Sequence, residues 1–307
     1  MSTADLDAGA PVETVRRLLA SVSSRLQSDS EAKWIVAQAA GVAPRALLGV
    51  LDSPVSTATA AAAAAMSERR AGGEPVQYVL GTWSFRHIEV SVDSRALIPR
   101  PETEQVVDVA LEELRRLSGP VGPARTGPAV LVDLGTGSGV IALALALETG
   151  AEVEVWATDA SAAALELAGD NLLKLAGSGP MTSRLRLAEG SWFGALPARL
   201  SGHVHMVVSN PPYVSASEWS DLDPQIRDYE PRVSLVSGIT GLEALELLVD
   251  EARQWLVPSG SLVLELAPHQ ATTMAARAER AGYLDVRVRP DLSGRDRILV
   301  ASWPGAR

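Results

Sequence analysis

From residue 129 onwards the chain alternates short apolar runs with helical stretches, and no other feature limits its fold as strongly. Residues 129–134, 153–158, 185–187, 204–208 and 261–266 read as buried strands. Residues 140–148, 162–175, 241–256 and 269–281 read as helices between and after them. Strands that alternate with helices in this way pair mostly in parallel, which implies an α/β, doubly wound sheet with helices on both faces. Runs at 286–290 and 298–301, joined by Ser293-Gly294-Arg295-Asp296, bring the sheet to seven strands. Such sheets take their ligands beyond the carboxyl ends of the strands, where the strand order reverses.

The region before the sheet has a different texture. Residues 1–73 read as a small helical domain, with apolar residues at helical spacing over 12–26 and 31–40 and alanine dominating 57–70. Asp29 or Ser30 is expected to cap the second helix and Gly41 to end it. Ala71-Gly72-Gly73-Glu74-Pro75 breaks the pattern, and 74–101 reads as a linker with a short hairpin in its aromatic and β-branched stretch, 76–92. A helix then follows through residue 114, with Pro101 in its first turn and Glu102 and Glu104 where the helix dipole favours acids. The Pro/Gly-rich stretch 119–128 reads as a surface loop, and 102–307 as one sheet domain.

Composition narrows the functional classes. The 307 residues are 47% hydrophobic, enough for a sizeable core. No cysteine is present, so disulfides and thiolate metal sites are excluded and a reducing cytoplasm fits best. There is no basic-then-apolar leader, and no apolar run nears the ~20 residues of a membrane span. A net charge of −10 argues against backbone-driven nucleic-acid binding. The four histidines have no ligand spacing, His203 and His205 reading as strand-flanking residues, so no metal is expected.

The residues suited to chemistry stand at the strand tips. Asp133-Leu134-Gly135-Thr136-Gly137-Ser138-Gly139 closes the first strand of the sheet, its glycines allowing a tight turn and close approach to a ligand. Val140 stands where a dinucleotide fingerprint needs glycine or alanine, and no Gly-Lys-Ser/Thr follows, so a phosphate cradle is disfavoured. Asp133 before this turn suits a ligand carrying an ammonium. Asp159 at the next strand tip is placed to accept both hydroxyls of a ribose, or else to cap the helix from Ala162. Trp192 is placed to stack on an adenine or to join the core. The fourth strand ends in Ser209-Asn210-Pro211-Pro212-Tyr213. The Asn210 side-chain oxygen and the Pro211 carbonyl can both accept from one planar NH2 group while Tyr213 stacks on it. Two acceptors orient a weakly nucleophilic nitrogen and stabilise its positive charge as the transferred group arrives.

In this order the glycine turn, Asp159 and Asn-Pro-Pro-Tyr resemble a class I S-adenosylmethionine-dependent methyltransferase acting on a planar NH2 nitrogen. More narrowly, the chain resembles the release factor N5-glutamine methyltransferases. The resemblance extends through Arg69-Arg70, Glu74-Pro75-x-Gln77-Tyr78-x-x-Gly81, and Ile98-Pro99-Arg100-Pro101-Glu102-Thr103-Glu104. It continues in Glu230-Pro231, Val236-Ser237-Gly238-x-x-Gly241, Glu265 with Gln270, and Asp291-Leu292-Ser293-Gly294-Arg295-Asp296-Arg297. It implies a cytoplasmic enzyme that methylates the glutamine of the Gly-Gly-Gln motif in peptide chain release factors, leaving S-adenosyl-L-homocysteine. It further implies that Asp133, Gly135, Thr136, Gly137, Ser138, Gly139, Asp159, Trp192 and Asn210 hold the cofactor. Asn210, Pro211, Pro212 and Tyr213 would then hold the glutamine, and the helical region would contact the release factor. The chain departs from the family at Ser191, where aspartate is frequent, and at Ala267, where glycine is usual. A ribosomal-protein glutamine, an adenine N6, and a cofactor-binding scaffold without turnover are the alternatives.

Overall fold

A computed structural model describes residues 13–118, 127–175, 177 and 184–305; most of the loop expected at 119–128 lies outside the described residues. The chain forms two compact units, Met1–Gly81 and Thr82–Arg307.

In the first unit three helices, α1 (Val15–Leu26), α2 (Asp29–Ala40) and α3 (Thr57–Ala71), bury Ile35, Val36, Leu47 and Ala63 in a common core. Each begins at a side-chain cap, Thr14, Ser28 and Ser56. The α2 cap corrects the expectation of Asp29 or Ser30. Ser28 Oγ accepts from Glu31 N, so Asp29 enters the first turn, where its charge opposes the helix dipole favourably. Gly41 ends α2 in the left-handed region, as expected.

The hairpin expected over 76–92 is shorter than its apolar stretch. Residues Val76–Leu80 form a helical turn, α4, because Val76 and Val79 share one face and drop into the core of this unit. Arg69 holds that turn by donating to the carbonyls of Tyr78 (3.2 Å) and Val79 (3.4 Å) while pairing with Glu74.

The second unit opens with the hairpin itself, β1 (Thr82–Phe85) and β2 (Ile88–Ser91). Phe85 pairs with Ile88, leaving Arg86-His87 as a two-residue turn with Arg86 at φ 51°. The largely buried Arg86 side chain pairs with Asp108 (2.8 Å) and Glu148 (2.6 Å), which anchors the turn. These acids belong to α5 (Pro101–Leu117) and α6 (Val140–Glu148). Between the two helices lies β3 (Ala129–Leu134), and after them come β4 (Val153–Asp159), α7 (Ala162–Leu175), β5 (Leu185–Glu189) and β6 (Val204–Ser209). The short α8 (Pro224–Arg227), α9 (Glu243–Trp255), β7 (Leu256–Glu265), α10 (Ala271–Arg280), β8 (Leu284–Pro290) and β9 (Asp296–Ser302) complete the chain.

The seven strands lie in the order β5-β4-β3-β6-β7-β9-β8, parallel except for β9, which runs against β7 and β8. The chain moves outward from β3 to β5 and then returns to the other side of β3 as β6. The reversal of order therefore falls between β3 and β6. Alternate residues of β3, Val132 and Leu134, pack towards α9 and α10, which leaves Leu131 and Asp133 on the opposite face. β7 starts earlier than the expected residue 261. Leu256 pairs with Val204, residues 257–260 bulge out with Ser259 at φ 67°, and the register resumes at Ser261 opposite Met206.

One fully buried side chain ties this unit together near the glycine turn. Asn171 of α7 accepts from Ser91 N (2.7 Å) and donates to Ser91 O (3.1 Å) and Ser138 O (3.0 Å). Nothing in sequence periodicity marks it. Asn171→Ala strands a buried amide and two carbonyls, and a loss of about 2–4 kcal/mol is expected in urea unfolding. A loss below about 0.5 kcal/mol, the range of an ordinary surface substitution, would show that Asn171 does not clamp the hairpin to the turn.

Candidate active site

The site grows from the β3–β6 reversal. After Leu134 the backbone passes through left-handed conformations at Gly135, Gly137 and Gly139 (φ 71°, 57° and 86°). At Gly139 a Cβ would also stand 3.1 Å from the Cβ of Ala168 on α7, so no larger residue fits without displacing that helix. The turn is held from below. Thr136 N donates to Thr158 O (2.8 Å), Gly137 N to Asp159 Oδ2 (2.9 Å), and Thr136 Oγ1 to Asp133 Oδ2 (2.6 Å).

Asp133 itself is wholly buried, and its Oδ2 also accepts from Ala142 N in the first turn of α6 (3.2 Å). Its Oδ1 has no protein partner. Desolvation outweighs the donors from Thr136 and Ala142, and nearby Asp159 adds to it, so the carboxyl is pushed up to about 7. Asp133 therefore underlies the turn and does not line the cavity above it.

That cavity measures about 410 Å3 and is walled by Gly135, Thr136, Gly137, Ser138, Asp159, Trp192, Asn210 and Pro212 among the expected residues. Gly139, Pro211 and Tyr213 stand outside the wall with Asp133. Its size is that of a pocket for a small ligand. Asp159 is not the cap of α7, since Ser161 Oγ accepts from Ala164 N there (3.2 Å). It accepts from Gly137 N and from Ser161 N (2.9 Å), one bond on each oxygen, and an ionised carboxylate has lone pairs to spare for further donors. Trp192, at φ 48°, both packs on the core and lines the cavity, with its ring over Gly135. Apolar walls, a glycine cradle that a side chain would fill, and a free carboxylate face fit a nucleoside with an aliphatic arm.

On the β6 side, Ser209 Oγ donates to Leu134 O (2.5 Å), joining the two strand tips. Asn210 Nδ2 donates to Thr103 Oγ1 (3.0 Å), and Thr103 Oγ1 donates to Glu265 Oε2 (2.8 Å). Tyr213 anchors the turn through its carbonyl, which accepts from Gln270 Nε2 (2.8 Å). Burial and the nearby Glu265 push its hydroxyl up to about 12. Gly241 is required behind it, since a Cβ there would stand 2.6 Å from Tyr213 O. Ala267 has φ −75°, ordinary for any residue, so its replacement of glycine strains nothing.

Two further walls did not follow from residue patterns. Leu97, Ile98, Pro99 and Arg100 form a strap over the cavity, held by buried Glu230, which accepts from Ile98 N (3.0 Å) and pairs with Arg100. Val233, Ser234, Val236 and Ser237 also line the cavity, and Val236 is bridged to Val214. The Pro-Arg-Pro-Glu-Thr-Glu and Glu-Pro motifs mark both neighbourhoods; helix-start rules account for the first as structure, and the resemblance is what ties either to the site.

Comparison with known proteins follows these features. Residues 14–81 match the model described as the PrmC N-terminal domain, and residues 124–222 that of the methyltransferase small domain. The release factor glutamine methyltransferase of Deinococcus radiodurans is 41% identical over 238 residues, 78% of each chain. That of Burkholderia pseudomallei is 35% identical over 275 residues, 90% of this chain and 92% of the relative. Among solved structures, the human methyltransferase 10 domain containing protein matches with a TM-score of 0.50 and 14% identity over 71% of this chain and 88% of that one, a likeness of fold alone.

The raised Asp133 carboxyl gives a test of the buried geometry. The folded state keeps a proton that the unfolded chain releases, so Asp133's contribution to stability is complete below about pH 4 and is lost as pH rises through about 7. Asp133→Asn is expected to gain on the native protein by about 2–3 kcal/mol between about pH 5 and about pH 8 in urea unfolding. A difference independent of pH would show that Asp133 titrates as an exposed carboxylate does.

Proposed function

Because the chain belongs to the release factor glutamine methyltransferase family, we propose that it methylates the side-chain amide nitrogen of the Gly-Gly-Gln glutamine in peptide chain release factors. The methyl comes from S-adenosyl-L-methionine in this reading. The observation that carries it is the setting of Asn210. Its Nδ2 is engaged by Thr103, so Oδ1 remains as the acceptor beside a cavity that holds the glycine turn and Asp159.

In this reading Gly135 to Gly139 hold the methionine arm, Asp159 takes the ribose hydroxyls and Trp192 lines the adenine. When bound, the cofactor would supply an electrophilic sulfonium methyl for the nitrogen, with S-adenosyl-L-homocysteine as the leaving group and the nitrogen's surplus proton passing to water. Asn210 Oδ1 and the Pro211 carbonyl accept the two amide hydrogens, localising the nitrogen lone pair and favouring the charged transition state over the delocalised amide. Pro212 of the cavity wall bounds the flat group, and Pro211 and Tyr213, which stand outside that wall, are assigned to the glutamine on the side of Asn210 turned away from the cofactor. The helical first unit is assigned to the body of the release factor. The reaction is placed in the cytoplasm, and no helix among the described residues is long and apolar enough to cross a membrane.

Incubation with release factor and isotopically labelled cofactor should add one methyl to the Gly-Gly-Gln peptide by mass spectrometry. A gain solely on ribosomal protein or nucleic acid would redirect the assignment. Asn210→Ala should lower kcat by about 10²–10³-fold while cofactor affinity changes little, since one transition-state acceptor is removed. Full activity of that variant refutes the reading. Asp159→Ala should weaken cofactor binding by about tenfold to a hundredfold in calorimetry, the loss of charge-assisted bonds to two hydroxyls.

A further inference from the structure

Glu265 closes β7 beside the tip of β6 and is buried to 1% exposure, yet it lines no part of the cavity. It reaches the site by accepting from the Thr103 hydroxyl at 2.8 Å, and that hydroxyl meets Asn210 Nδ2 at 3.0 Å. A hydroxyl carries one hydrogen, so the order of donors along this row is not free. While Glu265 is ionised it can only accept. Thr103 must then give it the hydrogen and turn a lone pair to Asn210, and Asn210 must present its NH2 to Thr103. Only this order leaves Oδ1 for a substrate. When Glu265 carries a proton it can donate to Thr103 instead, whose own hydrogen then turns to Asn210. The amide is thereby released to reverse, setting an NH2 against the NH2 of the guest.

We propose that Glu265, acting through Thr103, is the positioning residue that aims the Asn210 amide, and that methyl transfer switches on as Glu265 loses its proton. The inference rests on the reading of Asn210 as an acceptor for the glutamine amide. Groups on every neighbouring element bear on the switch. Arg297 of β9 and Arg100 of the strap favour the ionised form, as does the Thr103 hydroxyl. Glu102 of α5 disfavours it, and the Tyr213 hydroxyl on the adjoining turn stays neutral because burial and Glu265 itself raise it. Burial is the largest influence and pushes the carboxyl up to about 7, which puts the change near neutral pH.

The decisive measurement is the side-chain 15N amide resonance of Asn210 in the full chain as pH is varied, read without cofactor or substrate. It is expected to titrate near neutrality in the native protein and in Thr103→Ser, and to lose that titration in Glu265→Gln and Thr103→Val. A native resonance that does not move, or one that titrates alike in Glu265→Gln, overturns the proposal. In turnover at saturating substrates the native kcat should rise on the acid side with the same midpoint. Glu265→Gln should lack that limb, and Thr103→Ser should restore what Thr103→Val loses. Thr103→Val should lower kcat by about a hundredfold with cofactor affinity within about threefold, the signature of misaimed rather than unbound reactants. Native kcat and pH profile in Thr103→Val likewise overturn it. If the native protein methylates no release factor, the functional reading fails, while the amide titration still decides the relay. If Thr103→Val does not fold, the native and Thr103→Ser titrations decide it.

Discussion

A backbone bent through three left-handed glycines has no ladder or helix to absorb its own amides and carbonyls, and such groups are costly to bury unpaired. The structure around the cavity is arranged to take them up. Thr158 and Asp159 at the end of β4 accept from two amides, and Asn171 of α7 donates to a carbonyl. Asp133 of β3 receives the Thr136 hydroxyl together with a first-turn amide of α6. Four elements thus converge on five residues of loop. The turn has its shape only when β4 is in register and α7 is docked, so the cradle is a property of the whole sheet.

The same device appears on both sides of the β3–β6 reversal. On one side Asp133 is buried beneath the glycine turn, and on the other Glu265 is buried beneath Asn210. Each receives a threonine hydroxyl, at 2.6 Å and 2.8 Å respectively. Each is pushed up to about 7 by desolvation. A buried carboxyl is a poor choice for stability, and an apolar residue of similar size would cost the fold less. What it supplies once its proton is lost is direction, because an ionised carboxylate accepts and never donates. Every hydrogen in contact with it is thereby oriented.

Most of the sheet was legible because buried parallel strands are apolar throughout, and α6, buried on all sides, is apolar over nearly its whole length. Residues 140–148 were bounded correctly for this reason, and 162–175 by the helical spacing of the face that Ala164, Leu167 and Ala168 bury. Short elements were not. The Val76–Leu80 turn carries β-forming residues, and tertiary contacts of Val76 and Val79 override that propensity. The early start of β7 is invisible because Pro258-Ser259-Gly260 reads as a break, whereas it is a bulge paired with Trp303. The strand-tip residues of the site were legible because topology gathers them whatever the loops do. Their supports, Thr103, Asn171 and Glu230, lie far away in sequence and act by single hydrogen bonds, which no periodicity records.

The position of β3 also has a consequence for the time course of folding. It is an inner strand, and its partner β6 is separated from it in the chain by all of α6, β4, α7 and β5. As the polypeptide leaves the ribosome, the helical first unit closes through contacts between neighbouring helices, a class of topology that forms quickly. The apolar β3 emerges after the hairpin and α5 and keeps one edge unpaired until β6 is made. The strand pair that will shape the pocket is therefore also the interval of greatest exposure to aggregation. Early completion of the helical unit confines that hazard to the second unit alone.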